Sequence, residues 1–317
     1  MAARQAEPAT KPARPGAIVR LIVPVPMAVL LLASTGCQGD SAPRPPDGAP
    51  AAVQARAPGH TGTPSPSVSA STDARLGPPV RSYRVYLAEQ AAALRSRTRA
   101  FTDAVRAGDV AAAKRRFASS RTCWERIQSI TFLLPELDRR IDGRADDFAS
   151  PTDPAWTGWH RLEQLLWVGN STAGATPLAD RLDRDVASVQ RAIPTLPITA
   201  RIMAAGIERL VEEAIEQKLT GMEDRYSRLD LADLAANLEG AEAGYATARP
   251  VLTVAQPALT RLLDSRFAAV DGIIAKYRTP GGYRLYPALT PTDRAMLQAG
   301  LGTLAELLTG LSAVFER

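Results

Sequence analysis

The stretch Trp156-Thr-Gly-Trp-His-Arg-Leu-Glu-Gln-Leu-Leu-Trp167 carries apolar residues at helical spacing and predicts a helix. His160 and Glu163 stand one turn apart in it, so an imidazole and a carboxylate would project from the same face. That pair could hold a metal ion, or the histidine could simply be hydrogen-bonded inside a helical core. Which of the two is true decides between a metal-binding and a structural interpretation of the whole protein.

The same helical pattern extends from Arg81 to the end of the chain and predicts eight helices. Almost no run alternates apolar and polar residues, so strands are not expected. Eight amphipathic helices joined mostly by short loops predict an all-α fold of antiparallel bundles, most simply two four-helix bundles side by side. The predicted helices span about 82–107, 109–134, the 156–167 stretch to about 170, a segment from Thr176-Pro177, then 199–220, 230–248, 257–277 and a segment from Thr290-Pro291.

The N-terminus has the features of a secretory signal. Four basic residues precede an apolar run from Leu21 to Ala33, and the run ends in Ser34-Thr-Gly-Cys37. This resembles a lipoprotein cleavage motif, although Ser34 stands where a leucine is usual. Thirteen apolar residues that include two prolines are too short for a transmembrane helix. We therefore predict a signal peptide over 1–37 and an exported protein, lipid-anchored through Cys37 to the outer face of the cell membrane, in the cell envelope or periplasm. Simple secretion without acylation is the alternative.

Residues 38–80 contain nine prolines, five glycines and no Phe, Trp or Tyr. Such a composition cannot bury enough apolar surface to offset the entropy of ordering, so we predict a disordered tether. His60 lies in this segment and is not expected to bind a ligand. After acylation of Cys37 the remaining cysteine would be Cys123, which lies in an apolar helical pattern and is expected to be a buried thiol.

The formal charge of +5 does not indicate a nucleic-acid partner. The leader contributes four basic residues and one acid, so the rest of the chain carries only +2. Charges of both signs alternate along the predicted helices, as on solvated helix faces, and no basic cluster is interleaved with aromatic residues. We therefore exclude nucleic acid as a partner.

Five segments together resemble one known family. They are Trp124-Glu-Arg-Ile-Gln-Ser-Ile, Leu137-Asp-Arg-Arg-Ile-Asp142, the 156–167 stretch, Lys218-Leu-Thr-Gly-Met-Glu-Asp-Arg-Tyr-Ser227, and Asp230-Leu with Asn237 and Gly240-Ala241. In this order they resemble the imelysin-like family, and within it the EfeO/EfeM-type iron-uptake lipoproteins. The resemblance covers about residues 81–317, which we expect to form an imelysin-like helical domain, in the short form without the cupredoxin-like domain.

The resemblance implies a non-enzymatic protein with two four-helix bundles and a metal site in a cleft. Such proteins deliver iron to a membrane permease alongside a haem-peroxidase partner. The metal-binding positions carried over from the family motif are Glu125, Asp142, His160, Glu163 and Glu223. Gln128 and Phe132 stand where the family has glutamates. Gln128 could still offer a carbonyl oxygen, but one negative charge is lost, and Phe132 cannot be a ligand.

Three hypotheses from different classes follow. The first is a surface-tethered protein that binds Fe³⁺ or Fe²⁺ and passes the ion to a partner. The second is an imelysin-like zinc metallopeptidase, which is disfavoured because zinc hydrolases commonly use two or three histidines and no His-Glu-x-x-His is present. The third is a degenerate bundle that acts as a structural or polysaccharide-binding module, which the replacements at Gln128 and Phe132 would favour. The residues and the resemblance together favour the first.

Overall fold

The computed structural model describes residues 74–315, and most of them are helical. The all-α prediction is confirmed. The predictions for the signal peptide, Cys37, His60 and residues 38–73 of the tether lie outside the described residues. Nine α-helices are present in the described range: α1 Gly77–Arg106, α2 Val110–Ile127, α3 Pro135–Asp142, α4 Gly158–Trp167, α5 Thr176–Ala192, α6 Ala200–Glu216, α7 Asp230–Ala255, α8 Pro257–Ile274 and α9 Pro291–Phe315.

Local capping residues explain the first two helix boundaries. The side chain of Asp109 accepts a hydrogen bond from the backbone N–H of Ala112 at 2.8 Å, which caps α2 as predicted. Gly108 between α1 and α2 has φ +75°, a conformation that favours glycine. Helix α1 begins at Gly77 rather than near residue 82. Pro78 and Pro79 fit its first turn because the backbone nitrogens of a first turn need not donate a hydrogen bond within the helix. Residues 74–80 are therefore helical, although the sequence pattern placed them in the tether.

The segment from Asp109 to Leu134 is not the single helix that the sequence predicted. Helix α2 ends at Ile127, a 3₁₀ segment follows from Gln128 to Leu133, and α3 begins at Pro135. The 3₁₀ segment lies directly on α6, where a Cβ atom on Gly206 would be only 2.3 Å from the carbonyl oxygen of Ser129. This break separates α3 from α2 and lets Asp142 approach the inner face of α2.

Two sets of helices share one hydrophobic core. Helix α6 contacts α7 and α9, and α8 contacts the same two helices, so these four form a closed ring. Helix α1 packs against α2 and α5, while α4 contacts both α2 and α5. Helix α7 contacts α1 and α2 and so joins the two sets. The arrangement as two regular four-helix bundles stays a prediction.

A short hairpin was not predicted. Strands β1 Arg278–Thr279 and β2 Gly282–Tyr283 pair antiparallel, but two residues each are too few for a detectable alternation. Beyond the hairpin, Tyr286 donates a hydrogen bond from its hydroxyl to the carbonyl of Leu219 at 2.7 Å. Within residues 74–315, α9 alone has the length and composition to cross a membrane, yet its buried leucines pack it onto α6 and α8.

Candidate metal centre

A fully buried arginine on α2 organises a cluster of carboxylates. The guanidinium of Arg121 lies 2.7 Å from Glu125 Oε1, 2.6 Å from Asp142 Oδ1 and 3.0 Å from Glu223 Oε1. Its Nε atom also donates to Asp233 Oδ2 on α7 at 3.2 Å. These acids come from α2, α3, α7 and the loop that precedes α7. Arg121 therefore holds together carboxylates from four separate elements.

Helix α4 presents His160 to this cluster. Its Nδ1 atom is 3.1 Å from Glu163 Oε2, and its Nε2 atom is 3.5 Å from both Asp142 Oδ1 and Glu223 Oε1. Burial and Arg121 oppose a charged imidazole, but hydrogen bonds with Asp142, Glu163 and Glu223 outweigh them and raise the pKa of His160 well above its usual value. The predicted alignment of His160 and Glu163 on one face is confirmed by these distances.

A glycine permits the close approach of α4 to α3. Gly158 has φ +80°, and a Cβ atom there would lie 2.1 Å from the carbonyl oxygen of Ile141. A larger residue would push the start of α4 away from the end of α3. Because His160 follows two residues later and Asp142 directly follows Ile141, this contact brings the imidazole to the Asp142 carboxylate.

Glu163 has a second role besides its contact with His160. Its Oε1 atom accepts hydrogen bonds from the backbone N–H groups of Tyr226 at 3.0 Å and Ser227 at 2.6 Å. Carboxylates that hold the Nδ1 of a ligating histidine fix the ring orientation, and Nε2 of His160 here faces Asp142, Glu223 and the guanidinium of Arg121, whose Nη1 atom is 3.2 Å away. In this arrangement Glu163 orients His160 and also anchors the loop that carries Glu223.

The loop before α7 contributes a buried acid without a hydrogen-bond donor. No described residue in 74–315 donates a hydrogen bond to either carboxylate oxygen of Asp224, which has no exposed surface. Its nearest cation is the Nε atom of Arg121, at 3.7 Å. Burial, followed by repulsion from Asp233, raises the pKa of Asp224 well above its usual range. A buried carboxyl in this state needs a proton or a cation.

A buried lysine neutralises part of the cluster. The Nζ atom of Lys218 lies 2.7 Å from Glu223 Oε1 and 3.1 Å from Glu125 Oε2. Burial opposes charge on Glu223, but Lys218 and His160 outweigh it and hold the pKa of Glu223 well below its usual range. Burial has the prevailing effect on Glu125, and the pKa of that carboxyl is raised.

Acids outnumber bases in the cluster. Six acid side chains that are at most 9% exposed face the two permanent cations Arg121 and Lys218 and the imidazole of His160. With all of these buried groups ionised, three negative charges would remain, and the partly exposed Arg144, 3.4 Å from Glu223 Oε2, offsets part of that excess. Protons or a bound cation must neutralise this excess, because isolated buried charges are very costly. The six acids are Glu125, Asp142, Glu163, Glu223, Asp224 and Asp233.

Gln128 supports the cluster. Its amide nitrogen donates to Asp142 Oδ2 at 2.9 Å, and its carbonyl oxygen accepts from Asn237 Nδ2 at 3.0 Å. The carbonyl proposed as a neutral ligand is therefore already bonded, and the side chain positions Asp142. Phe132 lies in the 3₁₀ segment, is 39% exposed and does not share the buried face of Glu125.

A cleft gives solvent access to one side of the cluster. Its cavity of about 420 Å³ is lined by Asp142, Lys218 and Glu223 and also by three arginines. Asp138 lines it too, and burial together with neighbouring Asp142 raises the pKa of Asp138 to about 7. An ion can therefore reach Asp142 and Glu223 from the cleft. The three arginines are Arg139, Arg144 and Arg209.

The structure brings together all five residues carried over from the family motif. Together with Asp224 and Asp233 they form three groups, within each of which the ligand atoms lie within 4.8 Å of one another. Sequence reasoning missed Arg121, Lys218 and Asp233. Arg121 stands one turn before Glu125, and Asp233 one turn before Asn237, so charged residues on apolar helix faces were the available signal. The groups are Asp142, His160 and Glu223; His160, Glu163 and Asp224; and Glu125, Glu223 and Asp233.

The four tryptophans do not all surround the cluster. The Trp159 ring centroid is 5.6 Å from the guanidinium carbon of Arg121, and Trp124 packs beside Trp159 at 6.0 Å between centroids. Trp156 donates from its indole nitrogen to the carbonyl of Gly143, just beyond Asp142. Trp167 instead packs against Phe117. Cys123 is a buried free thiol, as predicted.

We predict that Gly221→Ala destabilises the protein more than Gly174→Ala does. Both glycines have φ near +70°, so both substitutions strain the backbone by about 1 kcal/mol. A Cβ atom at Gly221 would also lie 2.4 Å from the Tyr286 ring, whereas at Gly174 it would meet no atom within 4 Å. We expect Gly221→Ala to lose about 2–4 kcal/mol of unfolding free energy by denaturant titration. Equal losses for the two variants would contradict the packing of Tyr286 on this loop.

Comparison with known proteins gives a consistent result. The model of the imelysin family matches residues 79–311. The iron uptake system component EfeO of Yersinia pseudotuberculosis serotype I is 42% identical over 237 residues, which cover 74% of this chain and 63% of that protein. The EfeO of Escherichia coli O157:H7 is 40% identical over 240 residues, covering 75% and 64%. The chain thus spans less than two thirds of the length of these relatives.

Proposed function

Because the chain belongs to the imelysin family, we propose that this protein binds iron as a component of an iron uptake system. The convergence of Asp142, His160 and Glu223 at the edge of a cleft carries the proposal. The relatives that cover most of this chain are named as iron uptake components, which favours a non-enzymatic role.

The chemistry of the cluster suits iron. Imidazole is a good ligand for first-row transition metals, and carboxylates supply the anionic oxygens that a ferric ion prefers. A ligating imidazole is neutral, so the six acids then exceed the two buried cations by four charges, which Fe³⁺ or Fe²⁺ would offset together with protons. Asp142, His160 and Glu223 would hold the ion, and Glu163 would orient His160. Asp224 supplies a further carboxylate for which no described residue is a hydrogen-bond donor.

The zinc peptidase hypothesis has less support. His160 is the one histidine within residues 74–315, whereas catalytic zinc sites commonly use two or three. The hypothesis of a degenerate bundle rested on Gln128 and Phe132. Gln128 lacks the negative charge of a glutamate but still holds Asp142 in place, and Phe132 lies away from the cluster, so the groups that could bind an ion remain.

We further propose that the protein is exported and anchored at the cell envelope, and that it passes iron to a permease with a haem-peroxidase partner. The support is the predicted signal peptide ending at Cys37 and the name of the relatives as parts of an uptake system. Fractionation of a Cys37→Ser variant tests the anchor, because the variant should leave the membrane fraction.

Calorimetric titration with anaerobic Fe²⁺ and with chelated Fe³⁺ tests iron binding. We expect one ion per chain, and His160→Gln should weaken binding by about tenfold or more, since a lost or misplaced ligand costs at least as much as a lost supporting contact. Asp293→Asn, which alters an ion pair with Lys276 outside the cluster, is the matched control and should bind as the wild type does. Absence of saturable binding, or equal binding by His160→Gln, would refute the proposal.

We predict that iron affinity increases as the pH rises from about 5 to 8. The pKa values of Glu125, Asp224 and His160 are raised, so the iron-free protein retains protons that ligation must displace. Titrations with Mn²⁺, which resists hydrolysis in this range, in two buffers of different ionisation enthalpy measure the protons released. Tighter binding at low pH, or no proton release, would contradict this prediction.

A further inference from the structure

One internal cation occupies a position that could accept a metal ion. The Nζ atom of Lys218 lies between Glu223 Oε1 and Glu125 Oε2, at 2.7 and 3.1 Å. These two acids and Asp233 form one of the three groups whose oxygens lie within 4.8 Å of one another. The lysine side chain is only 2% exposed, so these carboxylates rather than water stabilise its charge.

The two internal cations differ in their freedom to move. Arg121 has no exposed surface, contacts five carboxylates and lies over the Trp159 ring at 5.6 Å from its centroid. Lys218 lines the 420 Å³ cleft, which Arg121 does not line. The lysine also has a long flexible stem that ends in a compact charge. Lys218 therefore has space in which to withdraw, and Arg121 is fixed.

Glu223 is the residue for which Lys218 and a bound metal ion would compete. It belongs to the group with Asp142 and His160 as well as to the group with Glu125 and Asp233. The same Oε1 atom is 2.7 Å from Lys218 Nζ, 3.0 Å from the fixed Arg121 guanidinium and 3.5 Å from His160 Nε2. An ion held by His160 and Glu223 would repel the Lys218 ammonium across this shared oxygen.

We propose that Lys218 is an internal competitor of iron. Its ammonium pairs with Glu125 and Glu223 in the iron-free protein and withdraws into the cleft when iron binds Glu223. On release, the returning ammonium replaces the ion. This inference rests on the proposed function and adds a reason why a carrier with so many carboxylates can release its cargo.

The test is Lys218→Met, which keeps the length of the side chain and removes its charge. We expect about tenfold tighter binding of Fe²⁺ and of Mn²⁺, and correspondingly slower transfer of the ion to EDTA, because the competing charge is gone. The iron-free variant should also melt several degrees lower, since two buried acids lose their partner. Lys276→Met, which removes a half-exposed ion pair with Asp293, is the control and should change neither property.

Unchanged or weaker metal binding by Lys218→Met would overturn the proposal and make Lys218 a structural support. If that variant does not fold, Lys218→Gln replaces it, because a neutral amide can still donate to Glu223, and the same increase in affinity is expected. If the wild type binds no iron, the proposed function fails. A gain of Mn²⁺ binding in the variant would then still support competition, and no gain would refute it.

Discussion

Glu223→Gln should reduce iron affinity by about 100-fold, which corresponds to roughly 2.8 kcal/mol. Glu223 belongs to two of the three groups that could hold an ion, and Lys218 and His160 keep its pKa low, so it is ionised and ready to bind. Glutamine has nearly the same shape, so the substitution removes a negative charge with little change in packing. Calorimetric titration with Fe²⁺ and chelated Fe³⁺ measures the loss, which should be larger for the trivalent ion.

Glu239→Gln is the matched control for this prediction. Glu239 bonds to Arg126 at 2.7 Å, but it is 38% exposed and lies outside the cluster. Surface ion pairs contribute at most about 1 kcal/mol, so this variant should bind iron normally and melt close to the wild type. If Glu223→Gln bound iron within threefold of the control, Glu223 would not be a ligand, and the assignment of the cleft would be wrong.

Much of the fold follows from patterns that are local in sequence. Asp109 and Gly108 mark the boundary between α1 and α2 because capping depends on a few adjacent residues. The break between α2 and α3 has no such local signal. It depends on the contact between Ser129 and Gly206, which are 77 positions apart, and only the packed structure shows that contact. The hairpin at 278–283 is too short to have a period.

In the candidate site too, the sequence identified the residues with local signals and missed those that depend on packing. Helical spacing places His160 beside Glu163, since that alignment needs only one helix. Motif resemblance supplied Glu125, Asp142 and Glu223, whose convergence depends on three separate elements. Neither helical spacing nor the motif resemblance identified Arg121, because an arginine on a helix is normally solvent-exposed. Its burial becomes evident only when carboxylates from α3, α7 and the loop before α7 meet around it.

Arg121→Met should be the most destabilising substitution in the cluster, at about 3–5 kcal/mol of unfolding free energy. It removes the one cation that contacts five buried carboxylates, and leaves those charges without compensation. For a domain of this size the melting temperature should fall by roughly 10 °C. Arg249→Met is the control, because the Arg249 pair with Asp264 is half-exposed and contributes at most about 1 kcal/mol.

The pH dependence of the Arg121→Met defect distinguishes lost charge from lost packing. Without the guanidinium, the pKa values of the surrounding carboxyls rise, so the folded variant takes up protons that the unfolded chain releases. The variant should therefore regain stability relative to the wild type as the pH falls from about 8 to 5. A bound metal ion should likewise raise its melting temperature more than that of the wild type, provided that the ligands remain in place. If the defect were the same at every pH, lost packing against Trp159 would explain it, and the charge balance argued for this cluster would be wrong.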